Sequence, residues 1–515
     1  MTTNEAFTAD VKNDNNIDKN TDCGVWSVTG KKKDKAYTYE DALTLAGNGS
    51  YTYGLLAVLS LTILSMACDM FGFSVVVAGS QCDLQVTPSQ RNTLMSMPFL
   101  GPIIMSYPWG YFSDTQGRRK CLLLAMSFSF VATVISSLSP NWIMLAVLKF
   151  LSTSCCSCAQ STTYALLGES STQRVRRSYM LAMTSVLMLT PAYYFSVGYF
   201  LLNMEYSIDL GFISFVPWRL LVLSLALPMG ISSLALHCFY ESPKFLANAG
   251  REDQAVELLK KIWKRNGGKG HYPVKKLILN EDYAPALGQP LLRSLWRQTT
   301  PLFRPPLLWR TLQLYYITAV VYSVNNSLVM WQPFIANAVL ADGGSAGGVC
   351  DIILRTHNTG GVQPTACSSK LEYLTTIFGI GHSISFALMN ALMSRLARMK
   401  LMLIAILAAA VASGTGIIVV TNKLASFVLF LGIMITGLGI GIVFSYFVEL
   451  YPTSYRGMAA CLGVIMARGS ALVAINILGS YMMTSCHQCF YAFTAYIFSG
   501  LVASFFLPAD SKKKT

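Results

Sequence analysis

Asp69 and Lys149 are ionisable side chains set deep inside long apolar runs. Asp69 lies about ten residues, and Lys149 about eight, below the outer ends of their runs, which at 1.5 Å per helical residue places both about 12–15 Å deep. An isolated charge at that depth costs at least about 2.5–3.5 kcal/mol, so the two are expected to pair or to face a wet cavity. A pair of this kind can be a static ion pair that ties two helices together. Arg468 is a third buried charge, in the middle of a late apolar run with no evident acid at its depth in the second half of the chain. It can face a central cavity and hold an anion, or it can bond to backbone carbonyls or snorkel. His382 is either a packing residue or a group that meets a proton or a small molecule.

Polar and aromatic side chains recur within other apolar runs. Tyr322, Asn325, Asn326 and Trp331 share one run, and Tyr193 and Tyr194 stand beside Pro191 in another. Such residues suit a site that grips a small organic molecule by stacking and hydrogen bonds, although helix packing uses the same residues. Adjacent Asn325 and Asn326 cannot share one helix face, so only one is expected to face such a site.

The elements that position these residues are membrane spans. The 515-residue chain is 53% hydrophobic and 12% charged, with a mean hydropathy of +0.47. A soluble domain has about a quarter of its residues charged, so an integral membrane protein follows. Runs of about 20 apolar residues, the length that crosses a bilayer core, fall near 54–79, 91–112, 121–138, 141–167, 178–202 and 217–240, then 311–338, 371–393, 401–420, 424–449, 458–482 and 488–507. The expected fold is all-α, with twelve transmembrane helices in two six-helix halves, 53–240 and 311–507. Residues 1–52 read as a disordered N-terminus, 241–310 as a polar linker with short helices, and 508–515 as a tail. The net charge of +14 comes from basic clusters that all fall on one side of an alternating topology. The positive-inside rule explains it without nucleic acid and places both termini in the cytoplasm.

Between the second and third runs lies Gly110-Tyr-Phe-Ser-Asp114-Thr-Gln-Gly117-Arg118-Arg119-Lys120. Gly110 would let helices approach, Gly117 would let the backbone reverse, and Asp114 would give Arg118 or Arg119 a partner. The spacing resembles the loop between helices 2 and 3 of major facilitator superfamily transporters. Its second-half counterpart, Asn390 to Lys400, has lost the acid and both glycines. Glu241-Ser-Pro-Lys-Phe-Leu246 resembles a signature of sugar porters and organic ion transporters, with Ser242 able to cap a helix and Pro243 suited to its first turn. Tyr39-Glu-Asp-Ala-Leu43 with Ala46-Gly-Asn-Gly49 is similar to the approach to helix 1 in relatives of synaptic vesicle glycoprotein 2. Glu449-Leu-Tyr-Pro452-Thr-Ser-Tyr-Arg456 looks like the acid-to-arginine element after helix 10, and Glu169 with Arg174, Arg176 or Arg177 is its first-half counterpart.

The resemblance implies a secondary transporter working by alternating access. Asp69 would be the proton-coupling acid with Lys149 in the place of the family's arginine, and Asp114, Glu169 and Glu449 would form a cytoplasmic gate with nearby arginines. The expected cargo is a small organic solute, with an organic ion and proton coupling as the finer options, carried by a monomer in a plasma or vesicle membrane. A transporter-shaped regulator or binding protein is the alternative. Among thirteen cysteines, Cys350 and Cys367 flank an outer loop where a disulfide is possible. Cys486-His487-Gln-Cys489 is a poor metal spacing, and no nucleotide loop or catalytic triad occurs, so neither a metal, a cofactor nor an enzyme activity is expected.

Overall fold

A computed structural model describes residues 36–209, 211, 213–278, 299–340, 347–358, 370–393, 399–451 and 453–508. Among the described residues, ten helical stretches are long and apolar enough to cross a bilayer: Ser50–Ser80, Arg118–Ser136, Trp142–Ser170, Gln173–Leu202, Pro217–Leu236, Tyr373–Met393, Met399–Val419, Lys423–Phe447, Met458–Tyr481 and Cys486–Phe505. Two further helices, Pro88–Gln116 and Leu308–Leu340, complete the twelve as spans 2 and 7. Span 2 carries three prolines inside the helix, Pro98, Pro102 and Pro108, and span 7 carries Asn325, Asn326 and Gln332. Their polarity has a physical reason, because they face protein rather than lipid. Span 7 packs chiefly on span 11, and span 11 on span 2, across the seam between the halves.

Several spans are interrupted at mid-depth. Span 1 changes helix at Gly72, span 4 at Ser157 and Cys158, and span 5 at Leu189, just before Pro191. Span 10 passes through a 3₁₀ turn, Met434–Leu438. There a Cβ on Gly437 would lie 2.5 Å from the Asn325 Oδ1, so glycine is needed for spans 7 and 10 to approach. Broken helices at this depth are tolerated where the freed backbone is buried in protein.

The turn between spans 2 and 3 and the described parts of the 241–310 segment, 241–278 and 299–310, lie at the same end of the bundle, here termed the basic end. Residues 36–49 are ordered there, contrary to the expected disorder. Strand Ala36–Thr38 pairs in parallel with Lys276–Ile278, and Tyr39–Ala46 forms a helix capped by Thr38. Its stripe Tyr39, Ala42, Leu43 and Ala46 is buried in one cluster with Ala255, Leu258, Leu259 and Ile262 of helix Glu252–Arg265. Burying one apolar stripe against another is what orders both short helices. Asn266 fastens the assembly by donating to the carbonyls of Ala46 and Gly47.

At the far end, the expected Cys350–Cys367 pairing is not formed. Cys350 is bonded to Cys486, and Cys367 lies outside the described residues. Helix Val349–Asn358 brings Cys350 to the start of span 12, where Asp351 also meets His487 at 3.2 Å.

Candidate functional site

Asp69 and Lys149 do meet. Lys149 Nζ stands 2.6 Å from Asp69 Oδ1, and each residue is only 4% exposed. Thr133 donates to the same oxygen at 3.0 Å and Ser152 to Oδ2 at 2.9 Å. Asp69 is thus surrounded by donors from spans 3 and 4, all in the first half. The Lys149 ammonium also lies 4.8 Å from the centre of the Phe73 ring.

The next residue, Met70, meets a different partner. Its Sδ lies 3.1 Å from Arg468 Nη1, while Arg468 Nη2 donates to Gln160 Oε1 at 3.2 Å. The guanidinium lies 6.0 Å from the Phe99 ring centre. Arg468 therefore sits on the seam, held by spans 1, 2 and 4 of the opposite half, and among the described residues it forms no ion pair. Tyr322 lies close enough to interact with it electrostatically. Asn326 is 1% exposed and its Nδ2 lacks a partner among the described residues, whereas Asn325 is turned toward Gly437.

Other expected site residues lie elsewhere. Tyr193 donates to the Ser224 carbonyl, and Tyr194 packs against Phe195, both within the first half. His382 packs against Phe386 at 4.1 Å between ring centres, and neither ring nitrogen has a hydrogen-bond partner among the described residues. Trp331 belongs to the seal at the far end. Its Nε1 donates to the Ile475 carbonyl, and its ring lies 5.5 Å from the Arg91 guanidinium. That seal continues as Asn92 donates to the Asn476 carbonyl and Asn476 to Ser96. Spans 5 and 8 join through Ser383, which donates to the Met188 carbonyl. Among the described residues, no hydrogen bond links the two halves at the basic end.

The basic turn is built within the first half. Arg118 reaches Asp114 at 3.1 Å and Glu169 at 3.3 Å, and packs over Phe245. Gly117 has φ +108°, which serves the expected chain reversal. Gly110 does not serve close approach, because a Cβ there would meet nothing within 4 Å. The close approach on span 2 is at Gly101, where a Cβ would lie 2.7 Å from the Ser154 amide nitrogen. Arg119 does not pair with Asp114 and instead donates to the Leu236 and His237 carbonyls. Arg174 is exposed, and it is Arg176 that bonds an acid, Glu40, at 2.9 Å. The side chains of Glu449 and Arg456, and the 394–398 turn, lie outside the described residues.

Sequence reasoning missed Glu241, which accepts the Arg119 amide at 2.8 Å and the Lys120 amide at 3.2 Å. It caps span 3 from the linker, while its neighbour Ser242 caps the next helix as expected. An acid at a helix start was the available signal. Also missed was Arg219, which ties Asp83 at 3.1 Å to the Ser137 and Ser139 carbonyls.

Two six-helix bundles with buried charges on and beside their seam define a multi-span membrane transport protein. A family model, "Major Facilitator Superfamily", matches residues 59–353, and the chain belongs to that family. It is 24% identical over 490 residues to the rat "Synaptic vesicle 2-related protein", covering 93% of this chain and 82% of the relative. It is 25% identical over 256 residues to mouse "Synaptic vesicle glycoprotein 2C", covering 49% of this chain and 35% of that one. Among solved structures, the inward-open xylose transporter XylE from E. coli superposes with a TM-score of 0.62 at 14% identity, over 90% of this chain and 98% of the other. A likeness at that identity speaks to the fold alone.

Proposed function

We propose that the protein is a secondary active transporter of a small organic anion, worked by alternating access and coupled to protons through Asp69. The observation that carries the substrate class is Arg468, a buried cation on the seam between the halves whose described contacts are a thioether, an amide oxygen and a ring. In a low-dielectric interior, such a charge favours an anionic ligand strongly. Gln160, Tyr322 and Asn326 would complete the site with polar groups.

Coupling rests on Asp69 and Met70 being consecutive on span 1. Protonating Asp69 would release Lys149 and loosen the span 1–span 4 contact, and Met70 and Gln160 would carry that change to Arg468. A solved neighbour with this fold is described as a D-xylose-proton symporter. With both termini cytoplasmic, the far end would face outward, and its seal makes this an inward-facing arrangement. Asp114, Arg118 and Glu169 would then stiffen the first half as it rocks.

Uptake into proteoliposomes, with and without a pH gradient, across organic anions, cations and sugars tests the proposal. Gradient-stimulated uptake confined to anions supports it, and uptake of cations or sugars alone rejects the substrate class. A second reading, a binding or regulatory membrane protein without transport, is favoured by the full set of donors around Asp69, which suits a static pair. No uptake of any solute, with retained binding of an organic anion, would select it.

A further inference from the structure

Arg91 is the second buried cation on the seam. It is 9% exposed, stands near the start of span 2, and its Nε has no hydrogen-bond partner among the described residues. Its guanidinium lies 4.0 Å from the centre of the Phe334 ring and 5.5 Å from that of Trp331. Both rings belong to span 7, so the contact crosses from one half to the other. Trp331 is itself pinned by the Ile475 carbonyl, and Gly479 allows span 11 to come within reach, since a Cβ there would lie 2.3 Å from Asn92 Oδ1 and 2.6 Å from Trp331 Cζ2.

A ring face can hold a guanidinium only while the halves are together. When they separate at the far end, Arg91 leaves Phe334 and enters the widened mouth with its full charge. Among the described residues, no carboxylate pairs with Arg91 in this arrangement. Arg91 and Phe99, the ring beside Arg468, are eight residues apart on span 2, about 12 Å along the axis.

We infer that Arg91 is an outer binding station for an organic carboxylate, which takes the place of the Phe334 and Trp331 rings when the far end opens. This rests on the anion-transport reading and extends it from one arginine to two. The station is emptied as the rings return, which passes the anion toward Arg468. The same ring contact therefore acts as latch and as competitor for the anion.

Labelling tests this in the full-length protein in nanodiscs. Met95, fully buried one turn below Arg91, is replaced in Met95→Cys, and the labelling it adds over the parent with a bulky charged maleimide is measured. Phe334→Leu should raise the rate at least threefold, and Phe334→Tyr should leave it unchanged. Sodium benzoate should raise it in the otherwise unaltered protein, whereas benzamide at equal concentration should not. Arg91→Gln should abolish the benzoate effect, Arg91→Lys should keep part of it, and Arg468→Gln should leave it intact. The inference is overturned if Phe334→Leu has no effect, if benzamide equals benzoate, if benzoate does nothing, or if its effect survives Arg91→Gln or vanishes with Arg468→Gln. Anion uptake that is unchanged in Arg468→Gln, with the benzoate effect lost in Arg91→Gln, would instead reject the central site and keep the outer one.

Discussion

Asp69 accepts from Lys149 at 2.6 Å, and the next residue of span 1, Met70, touches Arg468. One helical step thus separates an ion pair internal to the first half from a cation on the seam. Proton chemistry and solute recognition can communicate through that step without a long relay.

Asp69→Asn keeps the shape and the acceptor oxygen but cannot ionise. It should abolish uptake driven by a pH gradient while preserving counterflow exchange, both measured in proteoliposomes. Gradient-driven uptake at the parental rate would remove Asp69 from coupling.

Lys149→Met leaves Asp69 buried without its cation and should destabilise the protein by about 3–5 kcal/mol. Asp69→Asn combined with Lys149→Met should recover most of that loss, because no unpaired charge is left. Thermal unfolding in detergent of the two single variants and the double variant measures the difference, and equal losses in Lys149→Met and the double variant would show that the pair is not the cause.

Glu241→Ala uncaps span 3 and should cost about 0.5–2 kcal/mol. Gly117→Ala should cost more, because a Cβ there would lie 2.5 Å from Glu241 Oε2 and the residue has φ +108°. Thermal unfolding should rank the two in that order. Gly110→Ala should be near neutral, since its Cβ would point into open space.

Peptide mapping without reduction should recover a Cys350–Cys486 linked pair, and Cys367→Ser should leave that pair in place. A Cys350–Cys367 peptide would contradict the structure. The neighbouring Asp351 accepts the Gly348 amide, which holds its carboxyl below the usual carboxylate range, with His487 helping. A depressed folded pKa contributes stability that is present above the unfolded value of about 3.9 and is lost as pH falls through the folded one. Proteolysis of the 347–358 segment should therefore be unchanged at neutral pH and quicken only in strong acid.

Much of the site's content was legible one residue at a time. Asp69, Lys149 and Arg468 stood out because a charge in an apolar run is costly, and Ser242 because a helix start needs an acceptor. What misled was orientation. Gly110 has a suitable spacing but the wrong face, and among three arginines after Glu169 only the helix rotation decides that Arg176 bonds Glu40. Residues 39–46 read as disordered because the stripe that orders them lies more than two hundred residues away.

The sequence by itself determined the membrane class, the run of spans and which charges lie within them. These follow from local hydropathy and from a fixed rise per residue. The tertiary structure decided which groups meet: Cys350 with Cys486, Arg91 with Phe334, and Arg468 with Gln160 and Met70. Those meetings depend on how helices from distant parts of the chain rotate and cross. No local pattern encodes a rotation, because it is set by the packing of every neighbour at once.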